Sequence, residues 1–491
     1  MADASHADIR TTIINPEDFE AGVDSSTVIV RENALSKLTP ENIQRLDDIR
    51  NLSWFDRTFR KIDSGSLRGV IIMWVRMTLG IGILTLPYYV KVFGALTGFV
   101  LIIAAAVLNI LTYNFIFEAS FHTDKKNYGD LIEELMGVRM HKIFKWTFLL
   151  DIVSTMMTYC IVSYTLFKFI LYYVVLGSET MDPWMSKPSS FEFNEFHPSM
   201  LRIRAAFFAV IFLVNVPLFL KKNLDSLQKV TVGYLFALFF LVFIILCEVP
   251  FFVNARKNEN IGFALYKPVD WTWIEAFFGI CLSFYVQPFI FSLRGELLLP
   301  SLKRTKKIAR FSVSLEAIIF VVLGISGYYA LGDKYTTEML ITRTPYLNKE
   351  PISEYLFRFT ICIFFVLNTI GLAMYNPSLR EYIYPYIKVR YEGFKYAILS
   401  LVPFALICVV AFAYPYVTEL IGFFSVTVYN FNGYIIPMLM KIKIMERKKE
   451  PLYKKAVLYF FIALFTIVGA VGFAYSIITK VQKAMEDKSK A

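Results

Sequence analysis

The amino-acid sequence predicts an all-α polytopic membrane protein with about eleven transmembrane helices. Of its 491 residues, 56% are hydrophobic and only 19% are charged, whereas soluble domains carry about 25% charged residues. The mean hydropathy of +0.52 points the same way. About eleven apolar stretches also reach the roughly twenty residues that a helix needs to cross a bilayer. These stretches are residues 67–90, 94–118, 143–176, 202–220, 230–253, 273–293, 309–331, 354–376, 394–414, 416–440 and 454–479.

Lysine and arginine are concentrated in alternate loops between these stretches. The basic loops lie near residues 125–142, 221–229, 294–310 and 441–455, whereas the loop 177–199 contains four acidic residues and one lysine. Because cytoplasmic loops carry the excess of basic residues, the N-terminus is predicted to be cytoplasmic and the C-terminus exofacial or luminal. The net charge of +11 therefore orients the chain in the membrane and does not indicate a nucleic-acid partner.

The chain divides into a tail, one membrane domain and a short end. Residues 1–65 are predicted to form a cytoplasmic tail with a short amphipathic helix that begins near Thr39. This helix lies on the membrane surface, gates the cytoplasmic side or docks a partner; the sequence leaves these three alternatives open. Residues 66–480 form the transmembrane domain, and residues 481–491 form a short C-terminal tail.

Histidine and cysteine are placed unsuitably for catalysis or metal binding. All five cysteines fall within the apolar stretches without metal-ligand spacing, and all four histidines lie outside the stretches or at their edges. No constellation of catalytic side chains occurs at a matched depth. The sequence therefore predicts neither an enzyme nor a bound cofactor or metal, and its mostly apolar spans do not fit a channel.

The first apolar stretch contains residues that interrupt a helix. Thr78–Pro87 reads TLGIGILTLP, in which each glycine costs about 1 kcal/mol relative to alanine and the proline removes a backbone donor. Non-helical backbone inside a bilayer persists only where it is buried in protein or lines a wet cavity. The pattern predicts a binding site in which freed amides meet a carboxylate and freed carbonyls meet an ammonium group, although two glycines also allow a neighbouring helix to approach. The candidate site residues are Thr78, Leu79, Gly80, Ile81 and Gly82.

The sixth stretch is interrupted at mid-depth as well, by the segment Ser283–Pro288. Interruptions at corresponding places in two five-span halves indicate an inverted-repeat transporter fold with discontinuous helices 1 and 6. Side chains of this segment are predicted to face the first break, although aromatic rings in membrane helices also pack in the core or face lipid. The candidates for this wall are Ser283, Phe284, Tyr285, Gln287 and, from the third stretch, Tyr159.

Several segments resemble motifs of one known family. Gly80–Tyr88 reads GIGILTLPY and is similar to the first-helix signature G-x-G-x-L-x-L-P of the amino acid/auxin permease family, a branch of the amino acid–polyamine–organocation transporters. The other similar segments are Tyr128–Leu131, Pro217–Leu227, Phe289–Pro300, Gly324–Asp333 and, loosely, Asn376-Pro377. The resemblance covers about residues 66–445. It implies two inverted five-helix repeats of the leucine-transporter type plus an eleventh helix, and amino acids as substrates moved by a proton or sodium gradient.

Arg76 departs from the family pattern, because sodium-coupled members commonly carry asparagine four residues before the first signature glycine. Val286-Gln287 also stands where the family often has a Cys-His pair, and both departures argue against sodium coupling and against a neutral substrate of the glutamine type. We hypothesise that the charge of Arg76 replaces the sodium ion between the first and eighth stretches, beside Asn368 and Thr369. The alternatives are that Arg76 binds the carboxylate or an acidic side chain of the substrate, or that it pairs with a carboxylate such as Glu316.

Other charged residues also lie within the apolar stretches. Intramembrane charges are functional candidates by default, and these fit a proton relay, structural pairing or snorkelling equally well. Asn368 and Thr369 also fit simple hydrogen bonding between helices. The charged residues are Asp151, Lys168, Glu248 and Glu316.

The predicted function is secondary active transport of amino acids, proton-coupled or facilitative rather than sodium-coupled. The alternative is an amino acid sensor of the same fold that signals through the tail 1–65. The expected partners are an amino acid, protons as a candidate co-substrate and the lipid bilayer, with no nucleic acid, and the protein is expected to be a monomer. It is predicted to be an integral multi-pass membrane protein, and the sequence leaves the plasma membrane and a vacuolar or lysosomal-type membrane open.

Overall fold

The computed structural model describes residues 66–79, 82–125, 127–172, 185–187, 192–193, 197–220, 228–258, 261–297, 300–334, 351–376, 379, 393–414 and 417–490. The predicted tail 1–65 and its helix near Thr39 lie outside these residues. Nearly all of the described chain is helical, which confirms the all-α class. The α-helices are α1 (Leu67–Thr78), α2 (Gly82–Phe93), α3 (Ala95–Thr123), α4 (Tyr128–Met136), α5 (Val138–Ile170), α6 (Pro198–Phe219), α7 (Gln228–Asn258), α8 (Thr272–Ser283), α9 (Ile290–Glu296), α10 (Leu302–Leu331), α11 (Pro351–Leu372), α12 (Gly393–Ala413), α13 (Val417–Phe424), α14 (Ile436–Arg447) and α15 (Leu452–Lys490). A short antiparallel ribbon, β1 (Met185–Lys187) and β2 (Glu192–Phe193), follows α5.

Within the described ranges, eight helices are long and apolar enough to cross a membrane, as expected of an integral membrane protein. They are α3, α5, α6, α7, α10, α11, α12 and α15. The predicted number of about eleven counts three further stretches, which the structure divides into shorter pieces: α1 with α2, α8 with α9, and α13 with α14. The count of eleven and the inverted repeat therefore stay predictions. The last helix, α15, continues to Lys490, through residues predicted to form the C-terminal tail.

Side-chain caps begin several helices at the positions where the sequence offers a hydroxyl or an amide. The Ser66 hydroxyl accepts a hydrogen bond from the Gly69 amide at 3.1 Å at the start of α1. Ser301 caps α10 in the same way through the Arg304 amide at 3.3 Å. Each such cap satisfies an amide that has no partner within its helix and contributes about 1 kcal/mol.

Helical structure is interrupted in the first, sixth and tenth spans. In the first span, α1 ends at Thr78 and α2 begins at Gly82, so the interruption falls on the predicted glycine segment. In the sixth span, α8 ends at Ser283, and a 3₁₀ turn at Gln287–Phe289 precedes α9. In the tenth span, two π-helical segments separate α13 from α14, an interruption that the sequence did not predict. Such π segments occur frequently at functional sites.

The long helices pack into two groups. Helices α1, α2, α3, α8 and α10 pack mainly on one another and form the first packing group. Helices α5, α6, α11 and α12 form the second packing group in the same way. Helix α7 contacts both groups through α10 and α11, and the tenth span contacts α5, α8 and α3. Direct contacts between the two groups are sparse among the described residues, and the boundary between them, which α7 and the tenth span border, is called the cleft below.

A strap formed by residues 261–270 connects helix ends on one side of the first packing group. Gly94, between α2 and α3, has a φ of +88°, and a Cβ there would lie 2.7 Å from the Leu265 carbonyl oxygen. Glycine at this position therefore lets the strap approach the backbone closely. The strap forms hydrogen bonds from Ala95 to Ala264 at 3.0 Å and from Lys267 to Phe93 at 3.0 Å. It also accepts a bond from the Asp333 amide beyond α10, at the Gly262 carbonyl, 2.9 Å away.

Candidate functional site

A cavity of about 100 Å³ lies in the cleft, where the two broken spans meet α5 and the tenth span. The polar side chains among its described lining residues all carry hydroxyl groups. Among the described residues that line it, none carries a formal charge. The lining residues are Met77, Thr78, Thr85, Tyr89, Thr155, Thr158, Tyr159, Gly279, Leu282, Ser283, Tyr285, Phe289, Tyr375, Leu420, Ile421, Phe424 and Tyr429.

Four of the predicted site residues line this cavity: Thr78, Tyr159, Ser283 and Tyr285. Leu79 is fully buried directly after α1 and is not among the lining residues. Gly80 and Ile81 lie outside the described residues. Gly82 is the first residue of α2, and the structure does not describe its surroundings beyond this position.

The two other predicted residues of the sixth span face away from the cavity. The Phe284 ring packs against Phe320, with 4.7 Å between the ring centroids. Gln287 is fully buried, accepts a hydrogen bond from the Val286 amide at 3.0 Å and donates one to the Gly433 carbonyl at 3.3 Å. These two residues therefore contribute to the packing and hydrogen bonding of the break, while Tyr285 between them contributes to the cavity wall.

The backbone freed at the sixth-span break finds partners on α3. The Tyr113 hydroxyl donates to the Phe284 carbonyl at 2.5 Å and accepts a hydrogen bond from the Val286 amide at 2.9 Å. Because buried backbone groups without partners are costly in a membrane, these bonds make the non-helical segment stable. The break is therefore stabilised by specific contacts with the rest of the fold.

The residues predicted to replace or bind a coupling ion have different surroundings. Arg76 is 9% exposed in the last turn of α1 and is not among the lining residues. Glu316, offered by the sequence as a partner for Arg76, accepts a hydrogen bond from the Thr78 hydroxyl. Asn368 donates to Ser163 at 2.8 Å and to the Tyr159 carbonyl at 3.2 Å, which joins α11 to α5 as the alternative reading proposed. Thr369 is 7% exposed, and its hydroxyl has no hydrogen-bond partner among the described residues.

The tenth span contributes cavity residues that the sequence analysis missed. Tyr429 lies in the first π-helical segment, and its ring packs edge-on against Tyr285 with 4.9 Å between centroids. Its hydroxyl lies 2.9 Å from the hydroxyls of both Ser154 and Thr155 on α5. Polar residues such as Asn432 in an otherwise apolar span were the available signal for this contribution.

Aromatic rings from both packing groups meet at another side of the cavity. The hydroxyl of Tyr375, just after α11, donates to the hydroxyl of Tyr159 at 3.2 Å. The Tyr375 ring also packs against Phe289 of the sixth span, with 5.4 Å between centroids. The cavity therefore combines ends of broken helices with hydroxyls and aromatic surface. Among the described residues, no group of histidine, cysteine or acidic side chains is arranged to hold a metal ion.

A protein-family model described as "Transmembrane amino acid transporter protein" matches residues 63–482, which is most of the chain. The chain belongs to this family. Membership of the transmembrane amino acid transporter family confirms the predicted resemblance and identifies a transporter family, not an enzyme family. It also agrees with the eight apolar helices of an integral membrane protein.

Named relatives of this transmembrane amino acid transporter chain are distant. The chain is 23% identical over 278 residues to amino acid transporter AAT1 of Plasmodium falciparum, covering 57% of this chain and 42% of that protein. It is 23% identical over 355 residues to AAT1 of Plasmodium berghei, covering 72% of this chain and 53% of that protein. It is also 25% identical over 139 residues to vacuolar amino acid transporter 7 of Saccharomyces cerevisiae, covering 27% of this chain and 28% of the yeast protein. The chain thus spans about half the length of the Plasmodium relatives that it matches.

Proposed function

We propose that the protein is a secondary active transporter of amino acids, driven by protons or facilitative, and not driven by sodium. The observation that carries this proposal is the hydroxyl-lined cavity at the meeting point of the two broken spans. Helix C-termini carry partial negative charge and helix N-termini partial positive charge. The end of α1 at Thr78 is therefore suited to an ammonium group, and the start of α2 at Gly82 to a carboxylate.

The cavity favours a neutral amino acid of small or medium size. Each enclosed water needs about 10–15 Å³ of such space, so a cavity of about 100 Å³ has room for roughly seven to ten water-sized groups. That is comparable to the number of non-hydrogen atoms in amino acids between alanine and leucine. A charged side chain would find only hydroxyls and rings among the described lining residues, and burying it there without a partner is costly.

Arg76 supports the exclusion of sodium. Its guanidinium is buried one turn before the break, at the depth where the family resemblance places the coupling ion beside Asn368 and Thr369. A fixed positive charge there repels a second cation. The name of the yeast relative motivates a vacuolar-type membrane with an acidic lumen as one location, and the plasma membrane is the other.

Uptake into proteoliposomes tests the proposal directly. A panel of radiolabelled amino acids is offered to the purified protein with proton and sodium gradients imposed separately. We expect accumulation of neutral amino acids that is unchanged when external sodium is replaced by choline at fixed pH. Collapse of uptake in choline would contradict the proposal, as would the absence of uptake for every amino acid.

The membrane arrangement that we propose has eleven spans in two inverted repeats plus one, with the N-terminus cytoplasmic. The basic segment before α10 and the end of α15 should then lie on opposite sides of the membrane. Cysteines introduced singly as Ser301→Cys and Ser489→Cys should label from opposite sides with an impermeant reagent. Labelling of both from one side would rule out this arrangement.

The alternative remains a sensor of the same fold that signals through the tail 1–65. The length of that tail motivates it. Transport by the purified protein in liposomes without any partner would argue against a purely sensory role. Specific binding of an amino acid without transport would favour it.

A further inference from the structure

Two carboxylates of the described membrane helices lie one hydrogen bond away from the cavity. Asp151 on α5 is 1% exposed and accepts a hydrogen bond from the cavity-lining hydroxyl of Tyr285. Glu316 on α10 is fully buried and accepts one from the cavity-lining hydroxyl of Thr78. In each case the second carboxylate oxygen has no hydrogen-bond partner in the described part of the chain.

Neither arrangement fits a permanent structural ion pair. The described contacts of Asp151 and Glu316 include no cationic side chain. Burying an ionised carboxylate without a cation is costly, and such acids in membrane helices typically mark proton pathways. Both groups are therefore candidates for a proton-binding site.

The two hydrogen bonds differ in what they connect. The bond from Thr78 to Glu316 joins α1 to α10, and both helices belong to the first packing group. The bond from Tyr285 to Asp151 joins the sixth-span break to α5, and therefore connects the first packing group with the second across the cleft. Opening of the cleft would separate Tyr285 from Asp151 and would leave Thr78 and Glu316 together.

The groups that face Asp151 are phenols and an amide. Tyr285 comes from the sixth-span break and Tyr429 from the tenth span, and the Tyr429 hydroxyl is engaged by α5. The side-chain amide of Asn432, also from the tenth span, lies close by, and its oxygen accepts a hydrogen bond from Thr147 at 2.8 Å. Tyr128 of α4 interacts electrostatically with Tyr285. From α6, α11, α12 and α13, the other helices packed on α5, no described charged side chain acts on Asp151.

We propose that Asp151 is the site that binds the coupling proton and that Tyr285 links this proton to the substrate. This rests on the proposed proton-coupled transport. The Tyr285 ring forms part of the cavity wall, while its hydroxyl holds Asp151. A substrate that moves the ring withdraws the hydroxyl, and the carboxylate then retains a proton taken from water on one side of the membrane. When the cleft opens to the other side of the membrane, the Tyr285 hydroxyl returns to Asp151 and the proton is released to water on that side.

The decisive experiment compares Asp151→Asn with Glu316→Gln in proteoliposomes. The probe is a mixture of radiolabelled alanine, serine, leucine and glutamine, and an internal pH dye follows protons. In Asp151→Asn we expect gradient-driven accumulation to fall to the level seen without a gradient, with no substrate-dependent acidification, while exchange of internal for external substrate continues. Glu316→Gln is the matched control, a buried acid neutralised within one packing group, and should keep both accumulation and acidification.

A second pair of variants keeps the proposal testable if Asp151→Asn does not fold. Tyr285→Phe retains the ring but removes the donor that stabilises the ionised carboxylate. Because a hydrogen bond to a charged group corresponds to roughly one to two pH units, the pH of half-maximal uptake should rise by about that amount. The control is Tyr434→Phe: Tyr434 of the tenth span is not among the lining residues and its hydroxyl accepts a hydrogen bond from Asn109, so this variant should leave the midpoint in place.

The outcomes separate this inference from the proposed function. Proton-driven accumulation by Asp151→Asn equal to that of the wild type would overturn the inference alone, as would an unchanged midpoint in Tyr285→Phe. Loss of proton coupling in Glu316→Gln with retention in Asp151→Asn would assign the proton-binding site to Glu316 on α10 and would also overturn the inference. Wild-type protein that exchanges amino acids but never responds to a proton gradient would overturn both the proton coupling and the role of Asp151.

Discussion

The break in the sixth span is held by side chains that take over its free backbone groups, whereas the described part of the first-span break is joined to α10 through the Thr78 hydroxyl. In the sixth span, Tyr113 and Gln287 satisfy the groups around Phe284 and Val286. In the first span, Thr78 donates to Glu316, and the adjoining Gly80 lies outside the described residues. The sixth-span break is therefore stabilised by side chains of neighbouring segments, whereas the first-span break is predicted to depend on its own glycine residues. We expect the two breaks to respond to different kinds of substitution.

The largest effect is expected from a side chain placed in the glycine segment. Gly82→Leu, like Gly80→Leu, should reduce uptake to background with the protein still inserted in the membrane. Leucine both favours continuous helix and fills the space where substrate approaches bare backbone. The measurement is uptake in proteoliposomes normalised to the amount of monodisperse protein.

Gly295→Leu is the control for that substitution. Gly295 lies in α9 after the sixth-span break, and a Cβ there would meet no atom within 4 Å. Uptake should therefore persist in this variant. Normal uptake by both Gly80→Leu and Gly82→Leu would remove the first-span segment from the site and with it the contrast between the two breaks.

A smaller but still large effect is expected at Arg76, which precedes the first-span break. An arginine near the centre of a span costs about 2.5–3.5 kcal/mol on insertion scales, so its charge has to serve a purpose there. If the charge replaces a coupling ion, Arg76→Lys should keep sodium-independent uptake, and Arg76→Asn should lose it for every substrate. Loss confined to acidic amino acids would instead assign Arg76 to substrate recognition.

The smallest effect is expected on thermal stability, measured for one variant at each of the two breaks. Gln287→Leu would leave the Gly433 carbonyl without its described side-chain donor and remove one acceptor of the Val286 amide. A buried polar group without a partner costs about 1–3 kcal/mol, so the melting temperature in detergent should fall by a few degrees. Thr78→Val leaves the buried Glu316 carboxyl without its described donor, so it should lower the melting temperature by a similar amount. An unchanged melting temperature in Thr78→Val would show that the bond to α10 does not stabilise the first break.

The sequence predicted the positions of both breaks because glycine and proline act locally on helix stability. It did not predict which side chains of the sixth break face the cavity. Tyr285 lines the cavity while Phe284 and Gln287 do not, because a non-helical segment has no fixed side-chain period from which facing can be read. The contribution of the tenth span to the cavity, including Tyr429, was missed because π-helical turns depend on packing against other spans.

Position along a helix was predicted better than direction around the helix axis. Arg76 and Glu316 both lie within helices, and Glu316 accepts a hydrogen bond from Thr78, a contact that the sequence did not suggest. Asn368 joins α11 to α5, as simple hydrogen bonding between helices required. Hydropathy gives the distance of a residue from a span end, but only the packing of the helices decides which neighbour its side chain meets.

The strap at residues 261–270 restricts the separation of helices in the first packing group at one end. It is hydrogen-bonded to the turn between α2 and α3 and to the end of α10, and it leads directly into α8. The strap therefore connects α2, α3, α8 and α10 at one end. Rearrangement of these helices relative to one another should then displace atoms least beside the strap and most at the opposite ends of the helices. The lining residues nearest the strap, such as Tyr89 and Gly279, would form the invariant part of the cavity and set the largest side chain that it admits.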